Sequence, residues 1–283
     1  MTYAVTGATG GYGSLAVQHL LNQGVPAASI VALARSEAKA AALKALGVTV
    51  RVADYSDPAS LDAALKGVDR LLLVSGSDPG QRLTQHKNVI AAAQKAGVKL
   101  VAYTSITQAT TSTNILAPDH KATEETLKAS GLGYIFLRDN WYIENYAGDV
   151  AGAKQSGVVA AAVTKGKVGS ALRSEYAEAA VKALVAGVAG KTYELGGPLW
   201  SYPEFAAAVG KVLGKPVKFV TVTEADKKAT LLGFGLPEGV AGFYAALDTS
   251  VDAGTLAHAS SDLEHLLGRK PADLEAQIRA VAG

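Results

Sequence analysis

The amino-acid sequence predicts an α/β fold: a doubly wound parallel sheet with helices on both faces, followed by a smaller C-terminal α/β lobe. Three observations carry that prediction. Short apolar runs rich in β-branched residues recur without polar alternation, the pattern of strands buried on both faces. Helix-like stretches separate these runs in regular succession, as right-handed βαβ units require. The first run also ends in glycines at Gly7, Gly10 and Gly13, where a tight strand-to-helix turn needs them.

Strands are expected at residues 2–7 (TYAVTG), 29–35 (SIVALAR), 48–54 (VTVRVAD), 69–76 (DRLLLVSG), 99–105 (KLVAYTS) and 134–138 (YIFLR). Helices are expected between them at 15–23, 37–46, 58–66, 81–96 and 120–130. Ser56 and Asp57 stand before Pro58, a capping residue followed by proline at the first helical position. Gly47 and Gly97 fall where a helix ends and a strand begins. Beyond residue 140 the rhythm loosens. Helices are expected there at 174–188, 202–213 and 223–232, and strands at 192–195 and 217–222, with Gly- and Pro-bearing loops between them. No linker-like tract or internal repeat divides the chain. Residues 1–140 therefore read as the sheet domain, and 141–283 as a smaller lobe interleaved with it rather than independent.

Of the 283 residues, 49% are hydrophobic and 18% charged, with a formal net charge of +2, enough apolar material for a sizeable core. No dense Lys/Arg tract points to nucleic acid or an acidic membrane surface. The absence of cysteine removes disulfides, thiolate metal sites and a thiol nucleophile. No run approaches the ~20 apolar residues of a membrane helix. The start MTYAVTG lacks the basic flank and apolar stretch of a secretory signal, so a cytoplasmic location is expected.

The stretch Gly7-Ala8-Thr9-Gly10-Gly11-Tyr12-Gly13 has the chemistry of a dinucleotide turn. Its first glycine permits the turn, the second lets backbone amides approach a diphosphate, and the third lets helix and strand pack closely. The following helix N-terminus adds partial positive charge. The second run ends at Arg35, where a carboxylate would receive the ribose diol of NAD. A guanidinium there instead pairs with a 2′-phosphate, which favours NADP(H). Glu37, two residues later, is expected to cap the next helix. Asp54, ending the third run, reads either as acceptor for an adenine amino group or as an ordinary turn residue. Ser75 and Gly76 close the fourth run and leave room for backbone beside an adenosine ribose.

The segments TGATGGYG, LARSEAKA, VADYSD, LLLVSGSDPGQR, QHKNVIAAAQKAGVKLVAYTS, APDHKATEETLKASGLGYIFLRDNWYIENY and GLPEGVA together resemble the NmrA-like group of atypical short-chain dehydrogenases. Within that group they are most similar to the branch of bacterial quinone and triphenylmethane reductases. The resemblance runs over nearly the whole chain. It implies a Rossmann-like fold, NADP(H) as cofactor, and two-electron reduction of a planar acceptor such as a quinone. It also implies that Gly7 through Tyr12 hold the phosphates, that Arg35 holds the 2′-phosphate, and that Ser75, Gly76 and Thr104 border the cofactor. Asn140, Trp141, Tyr142 and Glu144 would lie beside the nicotinamide end, with Arg173 close to the cofactor. Family members often carry an aspartate after that arginine, whereas this chain reads Ser174-Glu175.

An ordinary short-chain dehydrogenase uses Tyr-x-x-x-Lys with a serine. None of the 11 tyrosines here has a lysine four positions downstream, although Ser105 occupies the serine position. Alcohol–ketone chemistry and nucleotide-sugar epimerisation are disfavoured accordingly. Quinone reduction needs proximity and orientation more than a strong acid. His120 and Tyr142 are the candidate catalytic residues. His120 reads either as a proton donor near neutral pH or as a residue that caps a helix or touches the cofactor. Lys121 beside it is expected to face solvent. Trp141 and Tyr142 read either as an aromatic wall for a flat ring or as core packing. His86 is expected to be a polar helix residue, and His258 and His265 suggest no metal site. Loops at 108–118 and 233–244 are expected to shape the acceptor pocket. A non-catalytic NADP(H)-sensing regulator is the alternative reading, and a monomer and a homodimer are both compatible with the sequence.

Overall fold

The computed structural model describes residues 1–78 and 80–283. In chain order the strands are β1 (Tyr3–Val5), β2 (Ile30–Ala34), β3 (Thr49–Val52), β4 (Arg70–Leu73), β5 (Leu100–Ile106), β6 (Gly133–Asp139), β7 (Trp141–Tyr142), β8 (Val158–Ala161), β9 (Lys167–Ala171), β10 (Lys191–Leu195), β11 (Leu199–Ser201) and β12 (Lys218–Thr221). The helices are α1 (Gly11–Asn22), α2 (Ala41–Ala45), α3 (Pro58–Ala64), α4 (Arg82–Ala96), α5 (Ala117–Ala129), α6 (Ala147–Ser156), α7 (Arg173–Ala186), α8 (Tyr202–Leu213), α9 (Glu224–Gly233), α10 (Glu238–Asp252), α11 (Asp262–Leu267) and α12 (Leu274–Val281).

Seven parallel strands form the central sheet in the order β10-β6-β5-β4-β1-β2-β3. The doubly wound parallel sheet expected from the continuous apolar runs is thus present, and all six N-terminal runs are strands in it. The winding reverses between β1 and β4. That switch point, at the carboxyl ends of the strands, is where α/β sheets open a ligand crevice.

Each sheet face has its own apolar layer. On one, α1 and α7 pack Val17, Leu20, Tyr176 and Leu184 against Val5, Ala32 and Leu137. On the other, Leu61, Val89 and Leu127 of α3, α4 and α5 meet Leu71, Tyr103 and Phe136. Burying one such large side chain stabilises the fold by roughly 1.5–3 kcal/mol. The turn signals also act as expected. Asp57 caps α3 by accepting from the amides of Ala59 and Ser60, with Pro58 in the first turn. Gly47 and Gly97 take φ of +78° and +71°, left-handed values that suit glycine.

After residue 140 the chain alternates between this sheet and a second core. Strand β10 pairs with β6, and α7 lies on the large sheet. Trp200, Phe205, Ile143 and Tyr146 centre a separate cluster among β9, β11, α8 and α12. Two small sheets, β11-β9-β7 and β12-β8, frame it.

Three local expectations are corrected. Glu37 accepts no backbone amide as a cap; its carboxylate instead receives Lys44 Nζ at 3.0 Å. The 37–46 helix is a single 3₁₀ turn followed by the short α2. The stretch 233–244 is mostly helix, because Pro237 precedes α10 and leaves only a tight turn after α9.

Candidate active site

The glycine turn joins β1 to α1. Gly7 has φ +56°, and its carbonyl accepts from the amide of Gly10 at 2.9 Å. A Cβ on Gly13 would lie 2.3 Å from that same carbonyl oxygen, so only glycine fits there. Gly10, at the N-cap of α1, provides no side-chain cap. The first helical amides therefore face the crevice without an internal acceptor, the arrangement that binds phosphate oxygens.

The turn is fixed from beneath. The Tyr55 hydroxyl donates to Val74 O at 2.7 Å and lies 2.5 Å from Thr6 Oγ1. Thr6 Oγ1 in turn receives the Val74 amide at 2.9 Å. Tyr55 thereby ties the ends of β1, β3 and β4 together; as one tyrosine in a polar turn, it carries no local sequence signal of that role.

A cleft of about 480 Å³ runs along the carboxyl ends of β1 to β4. Its walls include Gly7, Thr9, Gly10, Gly11, Tyr12 and Gly13, then Arg35 at the end of β2, Asp54 beyond β3, and Ser75 and Gly76 beyond β4. Ala8 is buried under the turn, its amide held by Leu33 O at 3.0 Å. Ser36, Lys39, Tyr55 and Gln85 also line the cleft and were not singled out in the sequence. Lys39 lies four residues after Arg35, a spacing that could have flagged it.

At the Arg35 end the cleft is cationic. Glu37 pairs with Lys44, and among the described residues neither Arg35 nor Lys39 forms an ion pair. Asp54 borders the cleft, and its Oδ1 accepts from the Ser56 amide at 2.7 Å, so it also shapes its own turn.

Behind the β4 wall, Thr104 Oγ1 accepts from the Ser75 amide at 2.8 Å, and His86 Nε2 accepts from the Gly76 amide at 2.9 Å. Since Nε2 accepts, Nδ1 carries the proton and donates to Thr123 Oγ1 at 3.0 Å. His86 is fully buried, and burial, with Arg82 nearby, pushes its imidazole down to about 3. It is a neutral brace of the cleft wall, built deeper into the structure than an ordinary polar helix residue.

His120 sits one layer back at the start of α5, with Nδ1 2.7 Å from the Tyr103 hydroxyl. Burial first, then Arg82 and His86, hold its pKa well below the ordinary histidine range. At neutral pH the ring is uncharged, so a proton leaving it comes from a neutral N–H. Lys121 is exposed. Ser105 is engaged elsewhere: its hydroxyl donates to Glu124 at 2.7 Å, and Glu124 forms a buried pair with Arg138.

At the far end of the sheet, the Asn140 amide nitrogen donates to Leu256 O and His258 O at 3.1 and 3.0 Å. It thereby stitches residues 254–260 to the end of β6. Trp141 is half-buried and packs against the smaller-lobe core. Glu144 accepts the Arg173 backbone amide at 2.9 and 3.1 Å, and the Arg173 guanidinium lies 5.2 Å from the centre of the Tyr142 ring. That guanidinium reaches the turn: a Cβ on Gly11 would lie 2.8 Å from Arg173 Nη1. The Tyr142 hydroxyl donates to Asp139 Oδ2 at 2.8 Å, and Tyr12 donates to Tyr176 O at 3.1 Å. His258 contacts Gln108 at 3.3 Å, His265 is exposed, and among the described residues no cluster of three His, Cys, Asp or Glu side chains could hold a metal ion.

A family model described as NAD(P)H-binding matches residues 7–185, from the glycine turn through α7. The chain belongs to this NAD(P)H-binding family. It is 45% identical to quinone oxidoreductase 2 of Escherichia coli over 277 residues, spanning 97% of this chain and 96% of that protein. Its fold matches the crystal structure of an E. coli NADPH-dependent quinone oxidoreductase complexed with NADPH, with a TM-score of 0.95, 43% identity and full coverage of both chains. It also matches Citrobacter triphenylmethane reductase complexed with NADP(H), with a TM-score of 0.95, 35% identity, and 99% and 100% coverage. The Rossmann-like fold and the family membership expected from the sequence are thus established. The NAD(P)H-binding match begins at Gly7, the residue whose left-handed backbone opens the turn.

Proposed function

We propose that this protein is an NADPH-dependent oxidoreductase that reduces quinones or similar planar conjugated acceptors by direct hydride transfer. The observation that carries the reading is the glycine turn opening into a cleft whose far end holds Arg35 and Lys39, with Glu37 drawn aside by Lys44. That arrangement suits a diphosphate at one point and a phosphorylated ribose at another. The relatives' names and their complexes with NADPH and NADP(H) support the same reading.

In this assignment the turn from Gly7 to Gly13 holds the diphosphate through the free amides at the start of α1, and Arg35 with Lys39 binds the 2′-phosphate. Asp54, Ser75 and Gly76 border the adenosine, and Thr104 fixes Ser75 from behind. Asn140, Trp141 and Tyr142 shape the nicotinamide end, while Glu144 orients Arg173 through its backbone. Bound NADPH supplies the hydride. The chain supplies proximity and orientation, with His120 and Tyr142 as the candidate groups for assisting proton delivery. The protein works in the cytoplasm as a monomer or homodimer, with a small-molecule acceptor and no nucleic-acid partner. Its cofactor domain is residues 1–140 and its acceptor lobe 141–283.

The test is NADPH oxidation followed at 340 nm with a panel of benzoquinones and naphthoquinones. Acceptor-dependent turnover is expected. Binding of NADPH without turnover on any acceptor would overturn the catalytic reading in favour of a dinucleotide sensor.

A further inference from the structure

Asp139 ends β6 and is 2% exposed. Its Oδ2 receives the Tyr142 hydroxyl at 2.8 Å, while its Oδ1 is buried without a hydrogen-bond partner. A buried carboxyl used at only one oxygen needs a reason, because desolvation without pairing is costly. The side chains that surround it supply one. The Tyr142 ring packs between Tyr12 of α1 and Tyr176 of α7, at centroid distances of 6.0 and 5.3 Å. Its face carries the Arg173 guanidinium at 5.2 Å, and Arg173 Nη1 ends beside Gly11, at the start of α1. Asp139, Tyr142, Arg173 and the glycine turn therefore form one connected line.

We propose that Asp139 is a positioning residue for cofactor binding: by anchoring the Tyr142 hydroxyl it fixes the ring on which Arg173 rests, and so aims that guanidinium at the diphosphate. The inference rests on the reading that the turn holds a dinucleotide. A carboxyl suits the task when it is uncharged, since ionising it would leave an unpaired buried charge at Oδ1 and disturb the anchor of the Tyr142 ring. Burial pushes the Asp139 carboxyl up to about 8, against the opposing pull of the Tyr142 hydroxyl. The titratable side chains facing it are Tyr12 from α1, Tyr142 from β7 and Tyr176 from α7. Burial holds each of these phenols above its ordinary value, so they stay neutral across pH 7–9. Arg173 lies on the face of the Tyr142 ring.

Calorimetric titration of the intact protein with NADPH and with 2′-AMP, which lacks the diphosphate, tests this. Asp139→Leu and Tyr142→Phe should each weaken NADPH binding roughly tenfold while leaving 2′-AMP unchanged, the size expected when one charge-assisted phosphate contact is misplaced. Asp139→Asn, which still accepts the Tyr142 hydrogen bond, should bind NADPH as the unmodified protein does at pH 7. Between pH 7 and 9 the unmodified protein should lose NADPH affinity and Asp139→Asn should not. In an Arg173→Met background, Asp139→Leu should have no further effect. Wild-type NADPH affinity in Asp139→Leu and Tyr142→Phe, equal loss for NADPH and 2′-AMP, or full additivity with Arg173→Met would overturn the proposal. Failure of the unmodified protein to bind NADPH would overturn the dinucleotide reading itself.

Discussion

Lys44 Nζ lies 3.0 Å from Glu37, and this exposed pair draws the one acid of the segment after β2 away from Arg35 and Lys39. The two cations are left facing the cleft. Arg35→Ala should raise the KM for NADPH by roughly 10- to 100-fold, as losing a charge-assisted phosphate contact of about 1.5–3 kcal/mol implies. The KM for NADH should change far less. Lys39→Ala should act in the same direction and more weakly. Lys44→Ala should have the smallest effect, since exposed pairs contribute about 1 kcal/mol or less. Steady-state kinetics with both nucleotides measures all three.

Gly13→Ala places a methyl 2.3 Å from the Gly7 carbonyl oxygen, a contact with backbone that no side-chain motion relieves. Overpacking of this kind costs roughly 1–3 kcal/mol. Thermal unfolding should show a lowered Tm, and NADPH should restore less stability to the variant than to the unmodified protein.

Asp139 makes stability depend on pH in a defined direction. Its folded carboxyl, at about 8, lies above the ordinary aspartate value, so between those values the folded protein keeps a proton that the unfolded chain releases. Its contribution is fully present at acid pH and declines as pH rises toward 8, by up to about 1.4 kcal/mol per pH unit. Asp139→Asn should therefore gain stability relative to the unmodified protein as pH rises from 5 to 8. Paired urea melts across that range measure the difference and cancel the opposite dependence from His86 and His120.

Glu124 is on the buried face of α5, with both oxygens on Arg138 at 2.9 and 2.7 Å and one also on Ser105. Arg138 reaches Glu194 of β10 at 2.8 Å, so the network crosses β5, β6 and β10. Glu124→Leu should cost about 3–5 kcal/mol, because it leaves a buried guanidinium with half its partners. Replacing Glu124 and Arg138 together by apolar residues should cost less than the single change, and chemical denaturation of both variants checks this.

Much of the fold was legible in the sequence because its signals are local. Strands buried on both faces leave unbroken apolar runs, and Asp57-Pro58, Gly47 and Gly97 mark helix ends by chemistry confined to a few residues. The smaller lobe was harder to read. Strands β7, β8, β9 and β11 are 2–5 residues long, and their pairing depends on partners distant in sequence, such as Trp200 opposite Val168. The cleft could be traced through Gly7, Arg35, Asp54 and Gly76 because strand ends collect on one edge of a parallel sheet. Tyr55, His86 and Asp139 could not, since Tyr55 acts through Val74 and Thr6, 19 and 49 residues away, His86 through Gly76 and Thr123, 10 and 37 residues away, and Asp139 through Tyr142 of the next strand, and no spacing rule encodes that. Glu37 shows the opposite failure: a plausible local cap lost to Lys44, one longer reach along the same segment.

The measurement that tests the central claim most directly is calorimetric titration of the protein with NADPH and NADH, alone and as the Arg35→Ala, Lys39→Ala double variant. A preference for NADPH of at least about tenfold that disappears in the double variant is the predicted result. Equal affinity for the two nucleotides in the unmodified protein, or no heat with either, would contradict it.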